Sequence, residues 1–426
     1  MNKDIKLFTN DNVPEAVLVN IVLQNDDENA AEASLDELER LLDTAGGKVF
    51  ARLTQNREKP DVRTYIGSGK VKELGEIVSG NNIELVVFDS ELTPSQIKNL
   101  ENDLEDVRVI DRTMLILDIF ALHAVTNEGK VQVELAQLRY TAPRLTGKGL
   151  SMSRQQSGST QGASIAMRGP GETKLETDRR HLKSRILSLE KELSEIEKNR
   201  LVQRGQRNRS GIKKVAITGY TNAGKSTLLN NLTDAGILAE DKLFATLDPT
   251  TRKFKMPNGV EILLTDTVGF IRNLPHHLVK AFKSTLEEVT NSDIIIVMID
   301  AADSENEAQL EVTQKLLSDL EANEKPIMYV YNKCDLTDIN FVDTDEKVHV
   351  SAVTGKGIDK LVSMLESLVM DGKTDEIFDI PNKEGTLLNR LYKEAAVNDV
   401  EYGEDFITVK ATVDRKIKGL MKQYMR

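Results

Sequence analysis

The chain has 426 residues, enough for two or three domains with separate hydrophobic cores. Its 39% hydrophobic and 29% charged content is that of a folded soluble protein, and no apolar run predicts a membrane span. A net charge of −12 argues against an evenly basic surface, although it leaves room for a local basic patch. The only cysteine, Cys334, excludes an intramolecular disulfide, and the N-terminus lacks a secretory signal. We therefore expect a cytoplasmic protein, with partial association with the membrane surface left open.

The N-terminal part of the chain alternates β-rich runs with helical patterns. Strands are predicted at residues 16–23, 48–53, 83–89 and 107–111, and helices at residues 30–46, 70–80 and 93–105, two of them ending at a glycine that suits a C-cap. Such alternation predicts a small parallel α/β domain, which we assign to residues 1–127.

Two apolar stripes at spacings of three and four residues follow. They indicate two amphipathic helices packed as an antiparallel hairpin, assigned to residues 128–210, with a long Gly/Ser-rich loop at about residues 146–173. The stripes consist of Leu135, Leu138, Ala142 and Leu145, and of Leu175, Leu182, Ile186, Leu189, Leu193 and Ile196.

Basic residues concentrate in two segments, 139–154 and 198–214, the second without any acidic residue. The sequence alone leaves two interpretations of them, a solvated linker or a surface that contacts nucleic acid. Their most prominent members are Arg139, Arg144, Lys148 and Arg154, and Arg200, Arg204, Arg207, Arg209 and Lys213.

A phosphate-binding loop begins the third region, residues 211–371. The pattern G-x-x-x-x-G-K-[ST] lies between a predicted strand and a predicted helix, the context in which backbone N–H groups surround phosphates. We expect Lys225 to reach the β- and γ-phosphates and Ser226 to ligate Mg²⁺. The other expected contacts are Gly219, Tyr220, Thr221, Asn222, Ala223, Gly224 and Thr227.

The pattern D-x-x-G follows an apolar strand further along. Asp266 is expected to hold Mg²⁺ through water and Gly269 to contact the γ-phosphate, with Thr267 and Val268 between them. Upstream, the segment Phe244, Ala245, Thr246, Leu247 and Asp248 occupies the position of a switch I loop. Spacing does not choose between the hydroxyls of Thr246, Thr250 and Thr251 as the Mg²⁺ ligand, and we assign this role to Thr246.

Two further motifs indicate guanine. In N-K-x-D, which comprises Asn332, Lys333, Cys334 and Asp335, the aspartate can accept hydrogen bonds from N1–H and the exocyclic amine of guanine, a donor pair that adenine lacks. The final motif, Ser351, Ala352 and Val353, follows another strand and supplies a backbone contact to the base. Four ordered motifs, each at the end of a strand, predict a P-loop GTPase domain that binds GTP or GDP with Mg²⁺.

The residue after D-x-x-G is Phe270, where Ras-like switches carry a glutamine that positions the attacking water. Phenylalanine cannot hydrogen-bond water, so we expect slow intrinsic hydrolysis that a partner stimulates. Lys225 and Gly269 remain as phosphate stabilisers, and no catalytic base is assigned. Asn222 is a candidate ligand for K⁺, with a plain loop asparagine as the alternative.

At this point the chain resembles the HflX family of translation-associated GTPases. The G-domain motifs are joined by N-terminal ones: Tyr65–Lys70, Asp111–Thr113 and Arg168–Arg180. The resemblance implies an N-terminal α/β domain, a helical hairpin and a G domain that together bind the large ribosomal subunit. It further implies splitting or rescue of stalled ribosomes under stress, with stimulation of hydrolysis by the ribosome and rRNA contacts through segments 139–154 and 198–214.

Several alternatives stay open. The main one is a GTP-dependent signalling switch that binds a protein partner and has no RNA role. Within Tyr65–Lys70, Gly67-Ser-Gly-Lys70 is interpreted as a turn that begins a helix, in preference to a second phosphate loop. Residues 372–426 are predicted to form a small α+β unit, with strands at residues 376–381 and 405–413 and a helix at residues 385–397. The protein is expected to be monomeric.

Overall fold

The computed structural model describes residues 13–24, 27–105, 107–145, 170–208, 212–233, 243–244, 247–273, 275, 278, 283–337, 342–370, 374–413 and 415–426. The chain divides into two compact units, Met1–Glu197 with Leu274–Ala281 and Lys198–Asn273 with Phe282–Arg426. Among the described residues, no helix is both long and apolar enough to cross a membrane. The four-part division made from the sequence stays a prediction.

A four-stranded parallel sheet forms the centre of the first unit. Its strands are β1 (Glu15–Leu23), β2 (Lys48–Arg57), β3 (Leu85–Phe88) and β4 (Arg108–Asp111), in the order β2-β1-β3-β4. Its helices are α1 (Glu28–Thr44), α2 (Ser68–Asn81), α3 (Pro94–Asp103) and α4 (Arg112–His123). The predicted parallel α/β fold is confirmed.

Helix α4 was not predicted, and its burial explains why. All nine residues from Arg112 to Phe120 are buried, so this part of the helix is covered on every side and has no polar stripe. Without a polar stripe the sequence shows no 3.6-residue period. The predicted C-cap at Gly80 is also wrong: α2 continues to Asn81, and Asn82 adopts the left-handed conformation, with φ 54°, that ends it.

Short side-chain contacts fix the starts of three of these helices. The Asp27 carboxylate accepts a hydrogen bond from the Asn29 amide at the start of α1. Thr93 and Gln96 form a reciprocal capping box around Pro94 at the start of α3. Asp111 accepts from the Met114 amide at 3.0 Å at the start of α4. Each contact satisfies a backbone donor that the first helical turn leaves open.

The same unit contains the helical hairpin, formed by α5 (Asn127–Leu145) and by the part of α6 (Pro170–Asn208) that precedes Lys198. The predicted stripes pack together, with Leu135 and Leu189 buried and Leu138, Ile186 and Leu193 against them. The Tyr140 hydroxyl on α5 donates to Asp111 at 2.5 Å, which joins the hairpin to the end of the sheet. Residues 146–169, which include most of the predicted loop, lie outside the described residues.

The second unit contains a six-stranded sheet in the order β10-β9-β8-β5-β7-β6, parallel except for β6. Its strands are β5 (Lys213–Gly219), β6 (Thr250–Lys255), β7 (Glu261–Asp266), β8 (Ile294–Asp300), β9 (Ile327–Asn332) and β10 (Lys347–His349). Its helices are α7 (Lys225–Thr233), α8 (Lys283–Thr290), α9 (Asn306–Asp319) and α10 (Ile358–Met370). The carboxyl ends of parallel strands meet at one edge of a sheet, where α/β proteins place their ligands.

The C-terminal part is a three-stranded antiparallel sheet in the order β11-β13-β12. Its elements are β11 (Thr374–Pro381), α11 (Gly385–Glu394), β12 (Ala396–Tyr402), β13 (Phe406–Val413) and α12 (Arg415–Leu420). The predicted α+β class is confirmed, but β12 was missed. The predicted helix extended to Val397, whereas residues from Ala396 onward pair with β13.

Candidate nucleotide-binding site

Two glycines allow the P-loop to pass close to neighbouring strands. Gly219 has φ 136°, and a Cβ atom there would lie 2.2 Å from the Met298 carbonyl oxygen on β8. Gly224 has φ 92°, and its Cβ atom would lie 2.1 Å from Nδ2 of Asn332 on β9. Any larger residue would clash and strain the backbone at both positions. The loop is therefore fixed against the sheet before α7 begins.

Lys225, the first residue of α7, is buried inside this loop. Its Nζ donates to the carbonyl oxygens of Tyr220, at 2.8 Å, and Gly219, at 3.3 Å. Burial lowers the pKa of Lys225 from 10.5 to about 8, although the charge of Asp266 opposes this shift. An anionic ligand would therefore interact favourably with this desolvated ammonium, which is enclosed by backbone carbonyls.

This pKa leads to an expected pH dependence of nucleotide affinity. Phosphates beside Lys225 favour the ammonium, so binding above the free-state pKa of about 8 takes up a proton. GDP affinity should therefore fall as the pH rises between about pH 8 and pH 9, by up to tenfold per unit. Conversely, the nucleotide-free protein should gain stability over this range, because the unfolded chain binds more protons there.

Isothermal titration calorimetry in buffers of different ionisation enthalpy measures both the affinity and the proton uptake. Lys225→Ala is the matched control, since titration of the guanine base contributes equally to both proteins. The expectation is contradicted if wild type and Lys225→Ala show the same proton uptake and the same slope of affinity with pH.

Hard oxygen atoms meet beside the lysine. The Ser226 hydroxyl donates to Oδ2 of Asp266 at 2.6 Å, and Asp266 is fully buried at the carboxyl end of β7. The Thr267 hydroxyl donates to the Ile217 carbonyl at 2.9 Å, which fixes the chain after β7 to β5. Hydroxyl and carboxylate oxygens are the ligands that Mg²⁺ prefers. The two side chains expected to serve Mg²⁺ are thus brought together.

The structure separates the three switch I threonines. Thr250 and Thr251 belong to β6, where Thr250 pairs with Asp266 across the ladder. The Thr251 hydroxyl is within 2.9 Å of the Thr265 hydroxyl and is engaged there. Ala245 and Thr246 lie outside the described residues, so the assignment of Mg²⁺ to Thr246 stays a prediction. Of their neighbours, Phe244 and Leu247 are buried and Asp248 is half-buried.

At the base-recognition end, Asn332 ties three loops together. Its Nδ2 donates to the Ala223 carbonyl of the P-loop, and its Oδ1 accepts from the Ala352 amide, each at 2.9 Å. Asp335, three residues later, is exposed, as a carboxylate that receives a ligand must be. The P-loop, N-K-x-D and the Ser351–Val353 segment are therefore locked in one arrangement through a single buried amide.

The remaining residues of these two motifs have distinct surroundings. Lys333, with φ 63°, forms an ion pair at 2.7 Å with Asp300, a residue outside the motif. The Cys334 thiol is buried, and the Cys334 amide donates to the Val350 carbonyl at 3.2 Å. Ser351 is buried, whereas the side chain of Val353 is 79% exposed. An exposed apolar side chain beside the base-recognition loop can cover one face of a purine.

Phe270 is 1% exposed and faces away from solvent. Its amide donates to the Gly219 carbonyl at 3.1 Å, and its carbonyl accepts from the Thr221 amide at 2.8 Å. Neither its chemistry nor its position allows the ring to orient a water molecule.

Three members of the two basic segments form ion pairs with acidic residues that are distant in sequence. Arg139 pairs with Glu190, Arg200 with Glu288 and Lys213 with Asp293. Because these acids come from other elements, the local sequence gave no sign of them. The side chains of Arg144, Lys148, Arg154, Arg204, Arg207 and Arg209 lie outside the described part of the chain.

Together the fold and the site define a P-loop GTP-binding protein. Three family models match consecutive parts of the chain: GTP-binding GTPase N-terminal at residues 32–121, GTP-binding GTPase Middle Region at 123–207 and 50S ribosome-binding GTPase at 214–333. The chain is 47% identical over 411 residues to GTPase HflX of Lacrimispora saccharolytica, covering 95% of each chain. It is 42% identical to GTPase HflX of Escherichia coli, covering 92% of this chain and 91% of the relative. The chain belongs to the HflX family of GTPases.

Among solved structures, the chain is similar to a GTP-binding protein from Sulfolobus solfataricus in complex with GDP. The identity is 26% and the TM-score 0.44, with 84% of this chain and 98% of the other covered.

Proposed function

We propose that this protein hydrolyses GTP on the large ribosomal subunit and couples the cycle to splitting or rescue of ribosomes under stress. The observation that carries the proposal is the meeting of Lys225, the Ser226–Asp266 pair and Asp335 along the carboxyl edge of one sheet. The description of the matching G-domain family, a 50S ribosome-binding GTPase, supports the choice of partner.

Three residues of the site have separate roles in the proposed phosphoryl transfer. Lys225 supplies positive charge to the β- and γ-phosphates, where negative charge is redistributed in the transition state. The Gly269 backbone lies close to Lys225, and its amide would donate to the terminal phosphate. Asp335 accepts from the guanine edge and holds the base, so that the phosphates enter in one register.

Mg²⁺ fits this site, because its expected ligands are a hydroxyl and a buried carboxylate. Ser226 would hold the ion directly and Asp266 through water, and the bound ion would neutralise phosphate charge. The proposed K⁺ contact at Asn222 and the monomeric state rest on the sequence alone.

A group other than Phe270, the residue that follows D-x-x-G, must orient the attacking water, because Phe270 is buried and carries no polar group. A group supplied by the ribosome, or a rearrangement that the ribosome induces, would fill this role. Slow hydrolysis in solution and fast hydrolysis on the ribosome are therefore expected.

A second function keeps some support. The pairing of Arg139, Arg200 and Lys213 with internal acids removes part of the basic surface expected to meet rRNA. That observation favours a GTP-dependent switch that recognises a protein partner.

The experiment that decides is the single-turnover rate of GTP hydrolysis with and without purified large ribosomal subunits, at matched K⁺ and Mg²⁺. We expect large subunits to raise the rate by at least about 100-fold, in line with the effect of other GTPase partners. Purified small subunits at equal concentration and the Lys225→Ala variant are the controls. Equal rates with and without large subunits would refute the ribosomal role and leave the protein-partner switch.

A further inference from the structure

The chain after D-x-x-G lies alongside the P-loop and is bonded to it. The Phe270 amide and carbonyl bond to Gly219 and Thr221, and Tyr220 and Phe270 form a parallel β-bridge. These contacts use backbone atoms, so any sequence with the same chain path could form them. They bring the residues that follow D-x-x-G next to the P-loop.

A third bond between the two segments depends on a side chain. The backbone amide of Arg272 donates to the phenol oxygen of Tyr220 at 2.7 Å. Tyr220 is only 5% exposed, so its ring is held by packing and its hydroxyl has a defined position. This bond uses the side-chain oxygen of Tyr220, so it depends on the residue type at this position of the P-loop.

Arg272 is also anchored through its side chain. Its Nη2 donates to Oε2 of Glu305 at 2.8 Å, and the Arg272 side chain is 14% exposed. Glu305 directly precedes α9, the helix that follows β8 along the chain. The amide and the guanidinium of Arg272 are thus bound to two different elements of the G domain.

The neighbouring Gly269 shows what this anchoring controls. A Cβ atom on Gly269 would lie 2.7 Å from Cγ2 of Thr221 and 2.9 Å from Nζ of Lys225. The Gly269 backbone therefore lies directly against the P-loop and its lysine. A small displacement of the segment would move the Gly269 amide relative to the terminal phosphate.

We propose that Tyr220 is a positioning residue for GTP hydrolysis, which fixes the Gly269–Arg272 segment through the Arg272 amide. The Phe270 side chain is buried and has no polar group, so the contribution that we assign to this segment is the Gly269 amide. Tyr220 keeps this amide at the γ-phosphate. The inference rests on the proposed GTP hydrolysis and adds a residue that the motif does not specify.

The test is Tyr220→Phe in the full-length protein, which removes one oxygen atom and keeps the ring. We expect the single-turnover rate of GTP hydrolysis to fall about five- to tenfold, as the loss of one hydrogen bond in the transition state implies. Affinity for a non-hydrolysable GTP analogue should fall as well, whereas affinity for GDP should not change, because GDP has no γ-phosphate for Gly269 to contact.

Tyr329→Phe is the matched control. The Tyr329 hydroxyl on β9 accepts a bond from Gln314 at 3.2 Å, and its loss should leave hydrolysis unchanged. Arg272→Ala keeps the backbone donor and removes the Glu305 contact, so it should have a smaller effect than Tyr220→Phe.

Two results would overturn the inference. One is a single-turnover rate of Tyr220→Phe equal to that of the wild type. The other is an equal loss of affinity for GDP and for the GTP analogue, which would indicate general damage to the P-loop. Failure of the proposed GTP hydrolysis, on which the inference rests, looks different, because the wild-type protein would then show no hydrolysis at all.

Discussion

Asp335→Asn should weaken GTP and GDP binding by about 100- to 1,000-fold, because two charge-assisted hydrogen bonds to guanine are lost. The asparagine oxygen can accept a hydrogen bond from the N1–H of a purine. Its NH2 group, however, would face the exocyclic amine of guanine, and both groups are donors. Xanthine has a carbonyl oxygen at the position of the guanine amine, so the amide group can pair with it. Affinity for xanthosine diphosphate should therefore rise in the variant while GDP affinity falls.

Fluorescence titration with GDP, xanthosine diphosphate and ADP measures this exchange. Asp345→Asn is the matched control, since it removes an equal charge from an exposed position before β10. GDP binding by Asp335→Asn at wild-type strength would show that Asp335 does not contact the base.

Arg112→Met should destabilise the N-terminal sheet by about 3–5 kcal/mol, the usual effect of removing one partner from a buried ion network. The Arg112 side chain is 2% exposed and pairs with both Asp89, at 2.6 Å, and Glu37. The Ser34 hydroxyl completes the network with a bond to Asp89 at 2.7 Å. Methionine fills a similar volume but leaves two carboxylates in the interior without their cation.

Hydrogen exchange of peptides from β1 and β3 in the full-length protein measures the effect locally. Arg63→Met is the control, because Arg63 makes a comparable pair with Asp103 at the surface, where its side chain is 59% exposed. Solvent screens this pair, so exchange should stay close to wild type. Equal protection in wild type and Arg112→Met would show that the network does not stabilise the sheet.

The network also gives a structural role to Asp111-Arg112-Thr113, a motif that the sequence linked to the family without explaining it. Asp111 begins α4 and accepts from Tyr140, whereas the Thr113 hydroxyl donates to Glu91 at 3.1 Å. The motif therefore joins the sheet, α4 and the hairpin.

Sequence reasoning predicted the parts of the fold that depend on local patterns. Alternating strands and helices gave the parallel sheet of the first unit, and the apolar stripes gave the hairpin core of Leu135 and Leu189. The motif spacings located the segments that meet at the sheet edge, because each follows a strand of known direction. These patterns are short in sequence and need no knowledge of tertiary contacts.

The errors and omissions have a common cause in contacts between distant segments. Helix α4 has no polar stripe because its residues from Arg112 to Phe120 are all buried, and the predicted helix of residues 385–397 extended into β12 because pairing with β13 is a long-range contact. The acids that neutralise Arg200 and Lys213 come from elsewhere in the chain. Likewise, the contact of Tyr220 with Arg272 joins residues 52 positions apart, and no motif contains both.

The most direct test of the guanine-nucleotide site is equilibrium binding of GDP and ADP to the purified wild-type protein, with Mg²⁺ present. One molecule of GDP should bind per chain, ADP should bind at least about 100-fold more weakly because Asp335 finds no donor pair on adenine, and Lys225→Ala should weaken GDP binding. Absence of GDP binding, or equal affinity for GDP and ADP, would contradict the assignment of Lys225, Ser226 and Asp335 to one nucleotide site.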